Sequence, residues 1–177
     1  MNNELGKKTS RSQAFVQYVI ALIAKNKGVA AALKRADNPA TEYQSWEYLA
    51  AFNIDLEKPW ERLPFATVAA AIAKEKSAHN GNEGIGKAIA KCYDDGSQSD
   101  QAKAKLRRLL ACDSVEEACR ILRPLFSLIE SRGNSTLDYA RLLDQLLKFH
   151  WESERIKSQW AQEFYKQGQK AAPKEAA

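Results

Sequence analysis

The sequence predicts an all-α fold, a compact helical bundle of about eight helices. Apolar residues recur at helical spacing along nearly the whole chain. Almost nowhere do they alternate with polar residues, as they would in a half-buried strand. Glycine and proline are sparse, with 8 and 5 residues among 177. Aliphatic, alanine and charged residues dominate instead, which is typical of a globular helical protein.

The N-terminal segment, residues 11–93, is predicted to form an N-terminal helical lobe. Ser12 can cap the first helix, and Gly28 is expected to interrupt or bend it. Pro64 is expected in the first turn of the fourth helix, where proline is tolerated. The helices that follow the first are predicted at about residues 29–36, 41–52, 61–78 and 85–93.

Residues 94–99 form the clearest internal loop and are a candidate lobe boundary. Residues 100–166 are predicted to form a C-terminal helical lobe, and the polar residues 167–177 a flexible tail. Pro124 is expected to kink or break a helix near Leu122, because proline removes a backbone donor. The predicted helices cover about residues 100–111, 114–132 (with the capping-box pair Ser114 and Glu117), 135–149 and 152–165.

The charge balance favours an anionic partner without requiring one. There are 27 Lys and Arg against 22 Asp and Glu, which gives a net charge of +5. Three cysteines without a Cys-x-x-Cys pair indicate reduced thiols in a cytoplasmic protein. Residues 1–10 lack the apolar stretch of a signal peptide. The longest apolar stretch, residues 15–24, is well below the ~20 residues of a membrane helix, so no membrane partner is expected.

Basic side chains project from predicted helix faces that are not apolar. Lys34 and Arg35 lie opposite the apolar positions of their helix. Within 100–111, the apolar stripe of Ala102, Leu106 and Leu109 leaves the basic residues outside it. Arg120 and Arg123 are one turn apart and can share a face. The candidate nucleic-acid-binding residues are Lys34, Arg35, Lys87, Lys105, Arg107, Arg108, Arg120 and Arg123.

A solvated helix face is the better explanation of any one of these basic runs taken alone. Two runs without acidic residues make binding an equally good explanation, because clustered cations repel one another unless an anion is present. Arg141 and Lys148 are weaker candidates, because Asp144 lies one turn from each and can pair with them.

The segment Gly84–Lys87 precedes a predicted helix and could approach a phosphate. It lacks the third glycine of a dinucleotide-binding motif and follows no strand. A helix start with a basic residue in its first turn is the plainer interpretation. Among the tryptophans, Trp46 and Trp160 fit the core, whereas Trp60 and Trp151 fit either core packing or base stacking.

The sequence offers little for catalysis. His79 and His150 are the two histidines, and neither belongs to a metal-binding motif. Asp94 and Asp95 have no third carboxylate at a useful spacing, whereas two-metal nuclease chemistry needs several. A carboxylate set that only folding brings together stays open. We therefore expect neither enzyme activity nor a metal or other cofactor.

Five segments, in this order, resemble the CasB family, the small subunit of type I-E CRISPR Cascade complexes. Each segment alone is weak evidence of the resemblance. Together, in the family's order, they run from Gly28 to Tyr165. This sequence departs from the family at Lys34 and Lys87, which replace arginines, and at Glu163 and Pro124. The segments read GVAAALKRA from Gly28, GIGKAI from Gly84, LRRLL from Leu106 followed by ILRPL from Ile121, LDYARLLDQL from Leu137, and WAQEFY from Trp160.

The resemblance implies an all-α protein of two small bundled lobes, with two copies per RNA-guided complex. The implied partners are the Cascade backbone and large subunits, guide RNA, target DNA and a second copy of the chain. The implied role is to hold the displaced strand and stabilise the R-loop, for which modest backbone contacts suffice. The alternatives are a helical protein–protein adaptor and, well behind it, a metal-dependent nuclease.

Overall fold

A computed structural model describes residues 8–132 and 136–166, and within them the fold is all-α, as predicted. Two short 3₁₀ segments, Glu42–Ser45 and Gly96–Gln98, accompany the α-helices. The β-pairing among the described residues is a single isolated parallel bridge between Glu83 and Leu137. The helices are α1 (Arg11–Lys25), α2 (Lys27–Leu33), α3 (Trp46–Ala51), α4 (Pro59–Glu75), α5 (Ile85–Lys91), α6 (Asp100–Leu110), α7 (Val115–Arg132) and α8 (Tyr139–Tyr165).

The first two helices are capped by residues other than those expected. Ser10 caps α1 through a capping box with Gln13, whereas Ser12 is buried inside the helix. The break after α1 falls at Asn26, whose extended backbone has a φ of −145°. The Asn26 side chain accepts hydrogen bonds from the next amides, at 2.8 Å from Gly28. Asparagine capping, and not the freedom of a glycine, therefore ends one helix and starts the other.

The two internal prolines both depart from what the sequence analysis expected of them. Pro59 takes the first position of α4, so Pro64 falls in the second turn. The expected break near Leu122 is wrong, because α7 runs on from Val115 to Arg132 through Pro124. Pro124 is exposed, so the carbonyl that loses its helical donor faces solvent and can bond to water.

The last helix, α8, folds back on itself. Glu152 has non-helical torsions, with a φ of −119° and a ψ of 21°. The Trp160 indole N–H donates to Gln145 Oε1 over 2.8 Å. In a straight helix, 15 residues would separate these two by about 22 Å. Residues 139–151 and 153–165 are therefore two antiparallel arms, close to the two helices predicted for this region.

The core is one continuous cluster that extends from Phe15 to Phe164. Helix α4 lies at its centre, with Phe65, Val68 and Ile72 fully buried. It packs against α1, α7 and α8, so helices from both predicted lobes contribute to one core. The lobe division at residues 94–99 stays a prediction, and the predicted tail lies outside the described residues.

The short helix α5 packs tightly on the returning arm of α8. A Cβ at Gly86 would overlap the Trp160 carbonyl oxygen, so only glycine allows this approach. Glu163 Oε2 accepts a hydrogen bond from the Gly86 amide at 3.3 Å. Arg141, on the other arm, contacts the same carboxylate. Burial raises the pKa of Glu163, and the neighbouring Arg141 guanidinium opposes that shift.

In the part of the chain that the structure describes, every helix is too short or too polar to cross a lipid bilayer.

We expect Gly86→Ala to destabilise the protein, because α5 must move away from the backbone of α8 to admit a methyl group. Overpacking of this kind costs about 1–3 kcal/mol, which corresponds to a fall in Tm of roughly 2–12 °C for a protein of this size. Thermal unfolding followed by circular dichroism measures it. Gly28→Ala is the matched control, since its Cβ would meet only the end of the Asn26 side chain. Equal melting temperatures for the two variants would contradict this packing.

Candidate nucleic-acid interface

Helix α6 presents exposed cations on a strongly amphipathic scaffold. Ala102, Leu106 and Leu109 are buried, which turns the basic side chains outward. Lys105, Arg107 and Arg108 are exposed, and none forms an ion pair with a described residue. The two arginines occupy the last turn, where cations also stabilise the carbonyl end of the helix. Their charge is available to an external anion.

Helix α7 places Arg120 and Arg123 at the edge of one cavity of about 380 Å³. The Arg123 guanidinium lies 3.6 Å from Asp37 Oδ2, and Lys74 also pairs with that carboxylate. Arg120 is exposed and forms no ion pair with the described chain. Of the two arginines, Arg120 is therefore the freer to meet a phosphate.

The two basic residues after α2 point to different neighbours. Arg35 is exposed and donates a hydrogen bond to Gln44 Oε1 at 2.9 Å. Lys34 is half-buried and lines a groove together with Lys27 and Lys76. The helical angles thus predict the exposure of Arg35 correctly, whereas Lys34 is less exposed than expected.

Lys87 lies on α5 within an ion-pair cluster. Its Nζ is 3.5 Å from Glu83 Oε1, and Lys91 contacts the same buried carboxylate. The Glu163 carboxylate covers the start of α5 by accepting from the Gly86 amide. The Gly86 amide is therefore already engaged, and a phosphate contact at this helix start stays a prediction.

The predicted binding residues thus lie at four places in the fold. Arg120 and Arg123 share a cavity, and the last turn of α6 carries Arg107 and Arg108. Lys87 is on α5, while Lys34 and Arg35 follow α2. That these residues form one continuous surface stays a prediction.

The weaker basic candidates are ion-paired. Lys148 pairs with Asp144 at 2.9 Å, as the sequence predicts. Arg141 instead contacts Glu163 on the opposite arm of α8. This pairing connects residues 22 positions apart, which only the fold-back at Glu152 brings together.

Three aromatic rings meet at the fold-back of α8. The ring centroids of Trp60 and His150 are 5.6 Å apart, and those of His150 and Trp151 are 4.0 Å apart. Trp60 is 41% exposed and Trp151 is 59% exposed, so neither belongs to the core. Trp46 was expected in the core but is 37% exposed, with the Arg62 guanidinium over its ring. Trp160 is fully buried, as predicted.

Lys76 is a basic residue that the sequence analysis missed. It ends α4 in the left-handed conformation, with a φ of 57°. The predicted helix continued to Ala78, which assigned Lys76 to an ordinary helical face. Glycine or asparagine is the usual mark of a left-handed helix end, and neither occurs here.

The chemistry of the described residues does not suggest a catalytic centre. No group of three or more His, Cys, Asp and Glu in residues 8–132 and 136–166 could hold a metal ion. All three cysteines are buried free thiols. Burial raises the pKa of Cys119 to about 12, and it also raises the pKa of Cys92 and Cys112. These thiols are protonated near neutral pH and are poor nucleophiles.

Known structures share this fold. A Cse2-family CRISPR-associated protein from Thermus thermophilus matches with a TM-score of 0.72 at 22% identity, over 88% of this chain and 97% of that one. CasB from M. ruber matches with a TM-score of 0.70 at 27% identity, over 90% and 95% of the two chains. A chain of a CRISPR RNA-guided surveillance complex matches with a TM-score of 0.69 at 20% identity, over 89% and 92%.

The sequence itself matches the family model of CRISPR-associated protein Cse2 over residues 29–165. No curated protein matches. Apart from Gly28, the matched range contains all the segments that resemble CasB, from α2 to the end of α8. Because the match covers most of the 177 residues, the chain belongs to the Cse2 (CasB) family of CRISPR-associated proteins.

Proposed function

We propose that this chain is a non-catalytic subunit of an RNA-guided CRISPR Cascade complex that binds the backbone of the displaced DNA strand and so stabilises the R-loop. Family membership supports the complex, and one solved structure with this fold is a chain of a CRISPR RNA-guided surveillance complex. The observation that carries the nucleic-acid contact is the exposed basic face of α6, which forms no ion pair with a described residue.

A backbone contact suits the available side chains. Arg107 and Arg108 offer charge and hydrogen-bond donors, which position a strand by its phosphates without reading its sequence. The exchange of a DNA duplex for an RNA–DNA hybrid is nearly balanced, so a few phosphate contacts can shift it. Arg120, beside the cavity on α7, is the next candidate. Lys34, Arg35, Lys87, Lys105 and Arg123 complete the proposed set.

The proposed partners are the backbone and large subunits of the complex, the guide RNA, the target DNA and a second copy of this chain. The buried free thiols are consistent with a protein that acts in the cytoplasm. The main competing function is a protein–protein adaptor whose basic face is only solvated, and the experiments below separate the two.

Binding of single-stranded DNA should weaken steeply with salt. If about 3–5 phosphates are neutralised, log K should fall with log salt at a slope of about −2 to −4. Fluorescence anisotropy with labelled oligonucleotides of unrelated sequence measures the slope. A flat salt response, or a strong preference for one sequence, would count against phosphate contacts and favour the adaptor.

Removing Arg107 and Arg108 together, by substitution with Ala, should weaken DNA retention by the assembled complex for all sequences alike. The salt slope should become shallower by up to about two units. Stability should fall by no more than about 1–2 kcal/mol, the usual worth of cations at a helix end. Electrophoretic mobility shift and thermal melting measure the two effects.

The matched control for that pair is Lys148→Ala with Arg155→Ala, which also removes two cations. Each of these lies one turn from an acidic partner, at 2.9 Å and 3.3 Å. DNA retention should change little in the control. Equal losses in the two double variants would refute a specific role for α6, and a collapsed Tm in the α6 variant would make its arginines structural.

The purified protein should not cleave DNA in the presence of Mg²⁺, because no described group of acids and histidines can hold the ions. Incubation with labelled single- and double-stranded DNA, followed by denaturing electrophoresis, tests this. Metal-dependent turnover that persists through purification to homogeneity would show that the chain is a nuclease.

A further inference from the structure

The C-terminal half of α1, helix α2 and the end of α4 enclose an open groove of about 670 Å³. This lies within the range of about 300–1,000 Å³ that is usual for ligand pockets. Its floor is aliphatic: Ile20 and Ala73 are buried, and Ile23 is half-buried. Covering this floor with apolar side chains is favourable, because it removes apolar surface from water.

Every charged residue that lines this groove in the described chain is a lysine. Lys27 comes from the first turn of α2, Lys34 from its C-terminal cap, and Lys76 from the end of α4. Folding thus brings Lys76 beside the two lysines at the ends of α2, and no acid of the described chain lines the groove to offset these three cations. We call this feature the lysine-rimmed groove.

The backbone conformation of Lys76 is independent evidence that its side chain has a role in binding. A φ of 57° and a ψ of 42° place it in the left-handed region, which disfavours a residue with a Cβ. Glycine would take this position without strain and is the usual residue there. The chain instead holds a cation at the rim in a strained conformation, and such outliers cluster at binding sites.

We propose that the lysine-rimmed groove docks an acidic amphipathic helix of a partner protein. Apolar side chains of such a helix would cover the aliphatic floor while its carboxylates meet the three lysines, as in other helix-in-groove complexes. A single-stranded nucleic acid fits less well, because the aliphatic floor between the lysines offers no partner for a polar backbone, and no aromatic ring of the described residues lines the groove for its bases.

The inference rests on the proposed function in one respect: the partner is a protein subunit of the same complex. The groove then binds protein while the basic face of α6 meets DNA. Lys34 alone belongs to both the groove and the proposed nucleic-acid-binding set, so groove variants that keep Lys34 should leave DNA binding intact.

The decisive variant is Lys76→Gly, which removes one cation and relieves backbone strain, so the variant should fold at least as well as the wild type. The matched control is Asn53→Gly, since Asn53 has a similar φ of 59° but no charge and does not line the groove. Both proteins are titrated, with a fluorescent label, into the guide-RNA complex that lacks this subunit. We expect Lys76→Gly to join the complex about two- to fivefold more weakly and Asn53→Gly to match the wild type.

Two further variants test separately how the charge of the groove and its shape contribute to docking. Reversal of all three lysines to Glu should weaken assembly by at least about tenfold, because carboxylates would then face the partner's acids. Ala24→Trp should also weaken assembly while leaving the charge unchanged, since exposed Ala24 forms part of the groove wall. Binding of single-stranded DNA by the free protein should survive Lys76→Gly and Ala24→Trp unchanged.

The possible outcomes are distinct. If all three groove variants assemble like the wild type, the groove is not a docking site. If Lys76→Gly and Ala24→Trp assemble normally but lose DNA binding, the occupant is nucleic acid and the inference is overturned. If the wild-type protein does not join the complex at all, the proposed function fails, and the docking inference fails with it.

Discussion

The close packing of α5 against the returning arm of α8 is the contact on which much of this structure depends. Gly86 lies against the backbone of Trp160, and the carboxylate of Glu163 joins the Gly86 amide to the guanidinium of Arg141. One acidic side chain thereby holds three pieces of chain in place: the start of α5 and both arms of α8. Two of the segments that resemble CasB, around Gly84 and around Trp160, are therefore neighbours in space.

The central position of α4 has a complementary effect on the surface. Because α4 is buried on almost every side, the helices around it direct their charged faces outward. Cations that are dispersed along the sequence then collect in separate places, such as the last turn of α6 and the rim of the groove beside α2. The sequence contains no basic tail, so any binding surface must arise from this arrangement.

Helical periodicity was enough to predict the all-α class, the extent of α6 and the interruption of α8. It was not enough wherever a side chain at a distance decided the outcome. Asn26 separates α1 from α2, and its side-chain oxygen caps α2. A search for helix-breaking glycines overlooks such a residue. Trp46 has the spacing of a core residue, but it lies under the Arg62 guanidinium, near the surface. Glu163 was noted only as a departure from the family's Asp, since its partners are 22 and 77 residues away in the sequence.

The environments of the tryptophans give the molecule a built-in optical probe. Trp160 is sealed in the core and hydrogen-bonded to Gln145, whereas Trp60 and Trp151 lie half in solvent beside His150. Emission from the buried indole should report on the union of the two α8 arms. Emission from the exposed pair should respond to whatever approaches the fold-back. Intrinsic fluorescence can thus distinguish loss of the fold from occupation of one end of the bundle without any added label.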